Sequence, residues 1–127
     1  MIGIEEYERI VSELLDELPP EFFRELSGGV VVSEAPEVPG YAKGNDIYTL
    51  GIYSVSYGVR QIVLYKGSFD RLYPAAGGAE AKKVLRGVLR HEFRHHLESL
   101  GRIHDASSLE AEDERRKREY LSRHGEE

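Results

Sequence analysis

Two histidines and a glutamate in one short run, His91-Glu92-Phe93-Arg94-His95, carry the most specific chemistry in this sequence. On an α-helix, residues four apart share one face about one turn apart, so the two imidazoles can bind a single metal ion. Glu92 follows the first histidine directly, close enough to accept a proton from a water that the ion activates. Zinc suits such a set, because it brings the pKa of that water to near 7 and polarises a carbonyl. The spacing therefore predicts His91 and His95 as zinc ligands and Glu92 as general base. A shuffled chain of this composition would show H-E-x-x-H on the order of 3% of the time, so the surrounding residues must decide.

The surroundings read as a helix. At about 100° per residue, Val84, Val88, His91, Glu92 and His95 cluster with Ala81 and Leu85, while Lys83, Arg86, Arg90 and Arg94 fall opposite. Gly101 is placed as the C-cap. A carboxylate buried beside two histidines is costly unless compensated, and a metal ion does so directly. The competing reading is a pair of hydrogen-bonded core histidines with Glu92 paired to a basic neighbour.

A tetrahedral catalytic site needs a third protein ligand and one position for water. Asp105 is favoured, since it follows the Gly101 turn where the chain can fold back. His104 and Glu110 stand behind it, with Glu112 and Asp113 on a helix expected to begin at the cap-like Ser107-Ser108. Glu98 lies about 10 Å along the axis from His91, too far for the same ion. His96 points about 100° from His95 and is expected to support the site rather than bind metal. For an oxyanion donor, His104 and Tyr120 are candidates. All five histidines of the chain fall after position 90, and the last, His124, has no role assigned.

The rest of the chain must position that helix. Ile4, Tyr7, Val11, Leu14 and Leu18 recur at helical steps and predict a first helix over 4–18, stopped by Pro19-Pro20. A short turn is expected over 21–26. Val30-Val31-Val32-Ser33 reads as a buried strand. A loop should cover 35–46, and strands 47–56 and 61–66 should be joined by a hairpin connection at 57–60. Residues 68–78 look irregular, and the pattern from Ala79 onward is helical. Helices flanking a small, largely antiparallel sheet predict one α+β domain over 1–127.

Composition bounds the partners. With 127 residues, 40% hydrophobic and 31% charged, the chain can bury one modest core. It has no cysteine, which excludes disulfides and thiolate metal sites, so any zinc is held by nitrogen and oxygen. The net charge of −6 argues against nucleic acid; the basic run 115–118 lies amid acidic residues and reads as a solvated helix. No apolar run approaches the roughly 20 residues of a membrane span. The acidic opening MIGIEEYERI is unlike a secretory signal, so a cytoplasmic protein is expected.

These residues resemble the small bacterial zincin-like family of possible zinc metallopeptidases, which has a minimal metalloprotease fold of about this length. The resemblance covers nearly the whole chain. It runs through Leu18-Pro19-Pro20-Glu21-Phe22, Tyr48-Thr49-Leu50-Gly51-Ile52-Tyr53 and Ile62-Val63-Leu64-Tyr65-Lys66-Gly67-Ser68-Phe69. It ends at His91-Glu92-Phe93-Arg94-His95-His96-Leu97-Glu98-Ser99-Leu100. It implies a small three- to four-stranded sheet packed on the H-E-x-x-H helix, with flanking N- and C-terminal helices. It also implies an acidic third ligand after a glycine turn, which Asp105 matches here. Related sequences often run acidic-Leu-Glu-x-Glu-Asp after that turn; here the matching stretch, 108–113, is displaced by a few residues. An extended peptide substrate would lie antiparallel to an edge strand, for which 47–56 is the candidate. The metzincin pattern is absent, with Glu98 and Gly101 where that pattern has Gly and a ligand, and the methionine turn is missing too. The function implied is a zinc-dependent peptidase acting on peptides or proteins. The alternatives are a zinc-binding interaction module with a zincin fold and no significant turnover, and a metal-free adaptor.

Overall fold

Tyr7, Ile10, Val11 and Leu14 stand at three- and four-residue steps, and helix α1, Ile4–Asp16, buries all four. Glu5 and Glu6 in its first turn complement the positive end of the helix dipole. The helix ends before Pro19-Pro20, and the short turn expected after it is a 3-10 turn, Pro20–Phe23. The computed structural model describes residues 1–39 and 48–101.

Three strands follow: β1 (Gly29–Ser33), β2 (Gly51–Ser56) and β3 (Val59–Tyr65). Their order is β1-β3-β2. β3 pairs antiparallel with β2, Tyr53 opposite Ile62, and parallel with β1, Val30 opposite Ile62. The sheet is therefore mixed, where the sequence suggested a largely antiparallel one. The β2–β3 connection is tighter than expected, with Tyr57 and Gly58 both at positive φ (52° and 79°), the backbone of a two-residue primed turn. Ile62 and Leu64 on the central strand are fully buried.

The stretch expected to be irregular contains a second helix, α2, Lys66–Leu72. Its weak local propensity is offset by an ion pair within the helix and by tertiary contacts. Lys66 pairs with Asp70 at 2.7 Å with little exposure. The Ser68 hydroxyl accepts the Glu37 N–H at 2.8 Å and donates to the Glu37 carbonyl at 3.1 Å. Phe69 meets Tyr7 edge-on.

Helix α3, Gly78–Gly101, carries the H-E-x-x-H run and reaches the last described residue. Ala81, Leu85, Leu89 and Phe93 fill the core against α1 and the sheet. Lys82 pairs with Glu13 at 3.1 Å and Arg86 with Glu17 at 2.9 Å, so α1 and α3 advance side by side in the same sense. Three helices around a three-stranded mixed sheet make the described residues an α+β fold. No helix among them is long and apolar enough to cross a membrane. The helix expected at Ser107-Ser108 and the basic run 115–118 lie outside the described residues.

Candidate metal centre and groove

Two adjacent faces of α3 divide the labour. Leu85, Leu89, Phe93 and His96 face the core, while Val84, Val88, His91 and His95 are half-buried and turned toward β2. The helical periodicity of the sequence groups Ala81 and Leu85 with the histidine pair. In the structure those two belong to the core face, and the histidines border it.

The Nε2 atoms of His91 and His95 stand 3.2 Å apart, with the rings nearly perpendicular at 86°. Two nitrogens bound at 2.0–2.1 Å in tetrahedral geometry would be about 3.3 Å apart. The pair thus fits one zinc ion held through both Nε2 atoms. The same separation also admits a hydrogen bond between a protonated and a bare ring nitrogen. Glu92 is buried beside the pair at 7% exposure.

The pair opens on a groove of about 1310 Å³ between α3 and β2, lined at that end by His91, Glu92, His95 and Tyr53. β2 stands at an edge of the sheet, so one side of its backbone faces away from β3. From the histidines the groove follows α3 toward its N-terminus, past Val88, Gly87 and Val84 to Lys83 and Glu80. Glu98 lines no part of it.

His96 is fully buried and faces away from the groove. Its Nε2–H donates to the Arg24 carbonyl at 2.8 Å, which leaves Nδ1 to accept the Tyr53 hydroxyl at 2.9 Å. Burial pushes its pKa below the ordinary histidine value, against the opposing effect of the Arg24 carbonyl. Both contacts satisfy the neutral ring. His96 therefore joins α3 to β2 and to the chain after the 3-10 turn, directly behind the expected ligands. Sequence reasoning places it as a supporting residue but misses Tyr53, whose 43-residue separation leaves no local signal.

Asp105, the expected third ligand, lies outside the described residues, as do His104, Glu110, Glu112, Asp113, Tyr120 and His124. Among the described residues no group of three or more His, Asp or Glu side chains is placed to hold a metal ion.

No family model matches the chain, and no curated protein does. Among solved structures it is similar to a conserved hypothetical protein from the bacterium T. thermophilus. The two are 34% identical, with a TM-score of 0.62 over 80% of this chain and 100% of that one. The chain belongs to that protein's family. Membership of this family supports the α+β frame, and the relative's description names no activity. The chemistry accordingly rests on the residues of the groove.

Proposed function

We propose that the chain is a zinc-dependent peptidase with a zincin-like minimal metalloprotease fold, acting in the cytoplasm on peptide or protein substrates. The observation that carries this reading is the pair of Nε2 atoms 3.2 Å apart, beside buried Glu92, at one end of a groove. His91 and His95 would hold the ion, with the third ligand drawn from Asp105 or its rivals. When bound, zinc supplies a Lewis acid that acidifies water and polarises the substrate carbonyl. Glu92 takes the proton of the attacking water and passes it to the leaving amine nitrogen. The edge of β2 that faces away from β3 offers N–H and C=O groups to an extended peptide, which then lies over the histidine pair. Tyr53 and His96 fix β2 against α3, so the edge strand and the ligands keep their spacing.

The test separates metal binding from turnover. The purified chain is expected to carry one zinc by elemental analysis and to cleave members of an unbiased peptide library. Glu92→Gln should keep the zinc and lose about 10²–10⁴-fold in kcat, the size of a general-base contribution. Full hydrolysis by Glu92→Gln would overturn the mechanism. Zinc bound without cleavage of any peptide would leave the non-catalytic module as the better reading.

A further inference from the structure

Glycine is among the least favourable residues in a helix interior, so one retained there asks for a reason. Gly67 in α2 and Gly51 in β2 have packing reasons. A Cβ on Gly67 would run into the backbone of Ala35 and Pro36, and one on Gly51 would stand 2.9 Å from Val88 Cγ1 and 3.0 Å from Leu64 Cδ2. Gly87, in the middle of α3, has none among the described residues. Apart from its chain neighbours and the adjoining backbone of α3, no described atom lies within 4 Å of where its Cβ would stand, and its φ is not in the left-handed region. The bare helix surface it creates lines the groove. It is one turn, about 6 Å, before His91 on the same face.

That floor has apolar walls. Val84 and Val88 flank it on α3, and Leu50 and Tyr73 line the same groove. All four pack one side on the core and remain partly exposed on the other. Toward the N-terminus of α3, the charged side chains that line the groove are Lys83 and Glu80, one and two turns beyond Gly87. An extended peptide advances about 3.3 Å per residue, so a side chain over Gly87 belongs within two residues of a bond held at the histidine pair.

We propose that Gly87 is the floor of a side-chain subsite, and that it selects polypeptide substrates carrying a large apolar residue, such as Leu or Phe, beside the bond cleaved. This rests on the peptidase reading for its location relative to the scissile bond. The subsite itself is a binding claim and can be tested without turnover.

The experiment uses the full chain and N-acetylated peptide amides of the form Ala-Ala-Xaa-Ala-Ala, with Xaa Gly, Ala, Leu or Phe. The amide resonance of Gly87, identified by its loss in Gly87→Ala, is followed by two-dimensional NMR as each peptide is added. The Leu and Phe peptides should shift it saturably, and the Gly peptide should need far higher concentrations. In cleavage assays, Gly87→Leu should lower the Phe-over-Ala ratio of kcat/KM by about tenfold or more, the scale of lost apolar contact in a specificity pocket. Gly87→Ala should raise Tm by roughly 2–4 °C, because the helix gains propensity and no packing is disturbed. An unmoved Gly87 resonance, equal shifts with Gly and Phe peptides, an unchanged ratio in Gly87→Leu, or a lower Tm in Gly87→Ala would each overturn the subsite. Side-chain-dependent shifts with no cleavage of any peptide would sink the peptidase reading and leave the subsite standing. Cleavage with no side-chain dependence would do the reverse.

Discussion

The hydroxyls of Tyr53 and Tyr7 differ in what they touch, and the difference has a measurable sign. Tyr53 Oη donates to His96 Nδ1 at 2.9 Å. That acceptor is fixed because the other ring nitrogen is committed to the Arg24 carbonyl. Tyr7 Oη is buried with no hydrogen-bond partner among the described residues. Burial first, and the negative charge of Asp70 second, push its pKa well above the ordinary tyrosine value. Removing one oxygen should therefore act oppositely at the two positions. Tyr53→Phe strands a buried imidazole nitrogen and should cost about 1–3 kcal/mol, whereas Tyr7→Phe removes an unsatisfied group and should be neutral or stabilising. Urea unfolding of both variants beside the parent chain measures this. Equal losses would mean that the hydrogen-bond assignment around His96 is wrong. At this scale, sequence makes His91, Glu92 and His95 legible because their relation is local, four residues on one helix. The Tyr53–His96 contact is not local, and no periodicity encodes it.

At the scale of elements, the contact between α1 and α3 is written in two ion pairs and a shared apolar seam. Hydrogen bonding from Lys82, then from Arg9, holds the Glu13 carboxyl below its ordinary value of 4.5. Hydrogen bonding from Arg86 does the same for Glu17. A depressed folded-state pKa favours the native state above the unfolded pKa, and that contribution disappears as pH falls through the folded value. The double variant Glu13→Gln, Glu17→Gln should thus be less stable than the parent at neutral pH. The gap should close as pH drops below about 4.5. Both carboxylates are exposed, so the effect is small and should shrink further in high salt. Denaturant melts from pH 7 to pH 3 test it, and a gap that widens on acidification would refute it. The seam beneath these pairs is readable in the sequence, since Tyr7, Val11 and Leu14 repeat at helical spacing. Helix α2 is not, because Gly67 and Ser68 weaken it locally and its support comes from Glu37 and Tyr7, remote in sequence. The parallel pairing of β1 with β3 is hidden for a related reason. Val30-Val31-Val32 has no polar alternation to set its face, and its partner strand begins about thirty residues later.

For the whole molecule, the location of the histidine pair would couple binding of the proposed zinc ion to global stability. His91 and His95 lie on α3, and the adjoining face of that helix supplies Leu85, Leu89, Phe93 and His96 to the core. The pair cannot keep its 3.2 Å spacing while α3 is unfolded, so an ion bound through both rings favours the native chain. A ligand held at a hundred times its Kd adds about 2.7 kcal/mol. For a chain of this length that corresponds to roughly 6–12 °C in Tm. Adding a chelator to the purified protein should lower Tm by this order, and restoring zinc should reverse the change. Glu92→Gln should respond as the parent does, because Glu92 is assigned to proton transfer rather than to holding the ion. His91→Ala and His95→Ala should already melt near the chelated value and respond little to zinc. If chelation shifts the parent and both histidine variants equally, the stabilising ion is bound elsewhere in the chain. The spacing of His91 and His95 would then reflect a hydrogen bond between two groove-facing histidines.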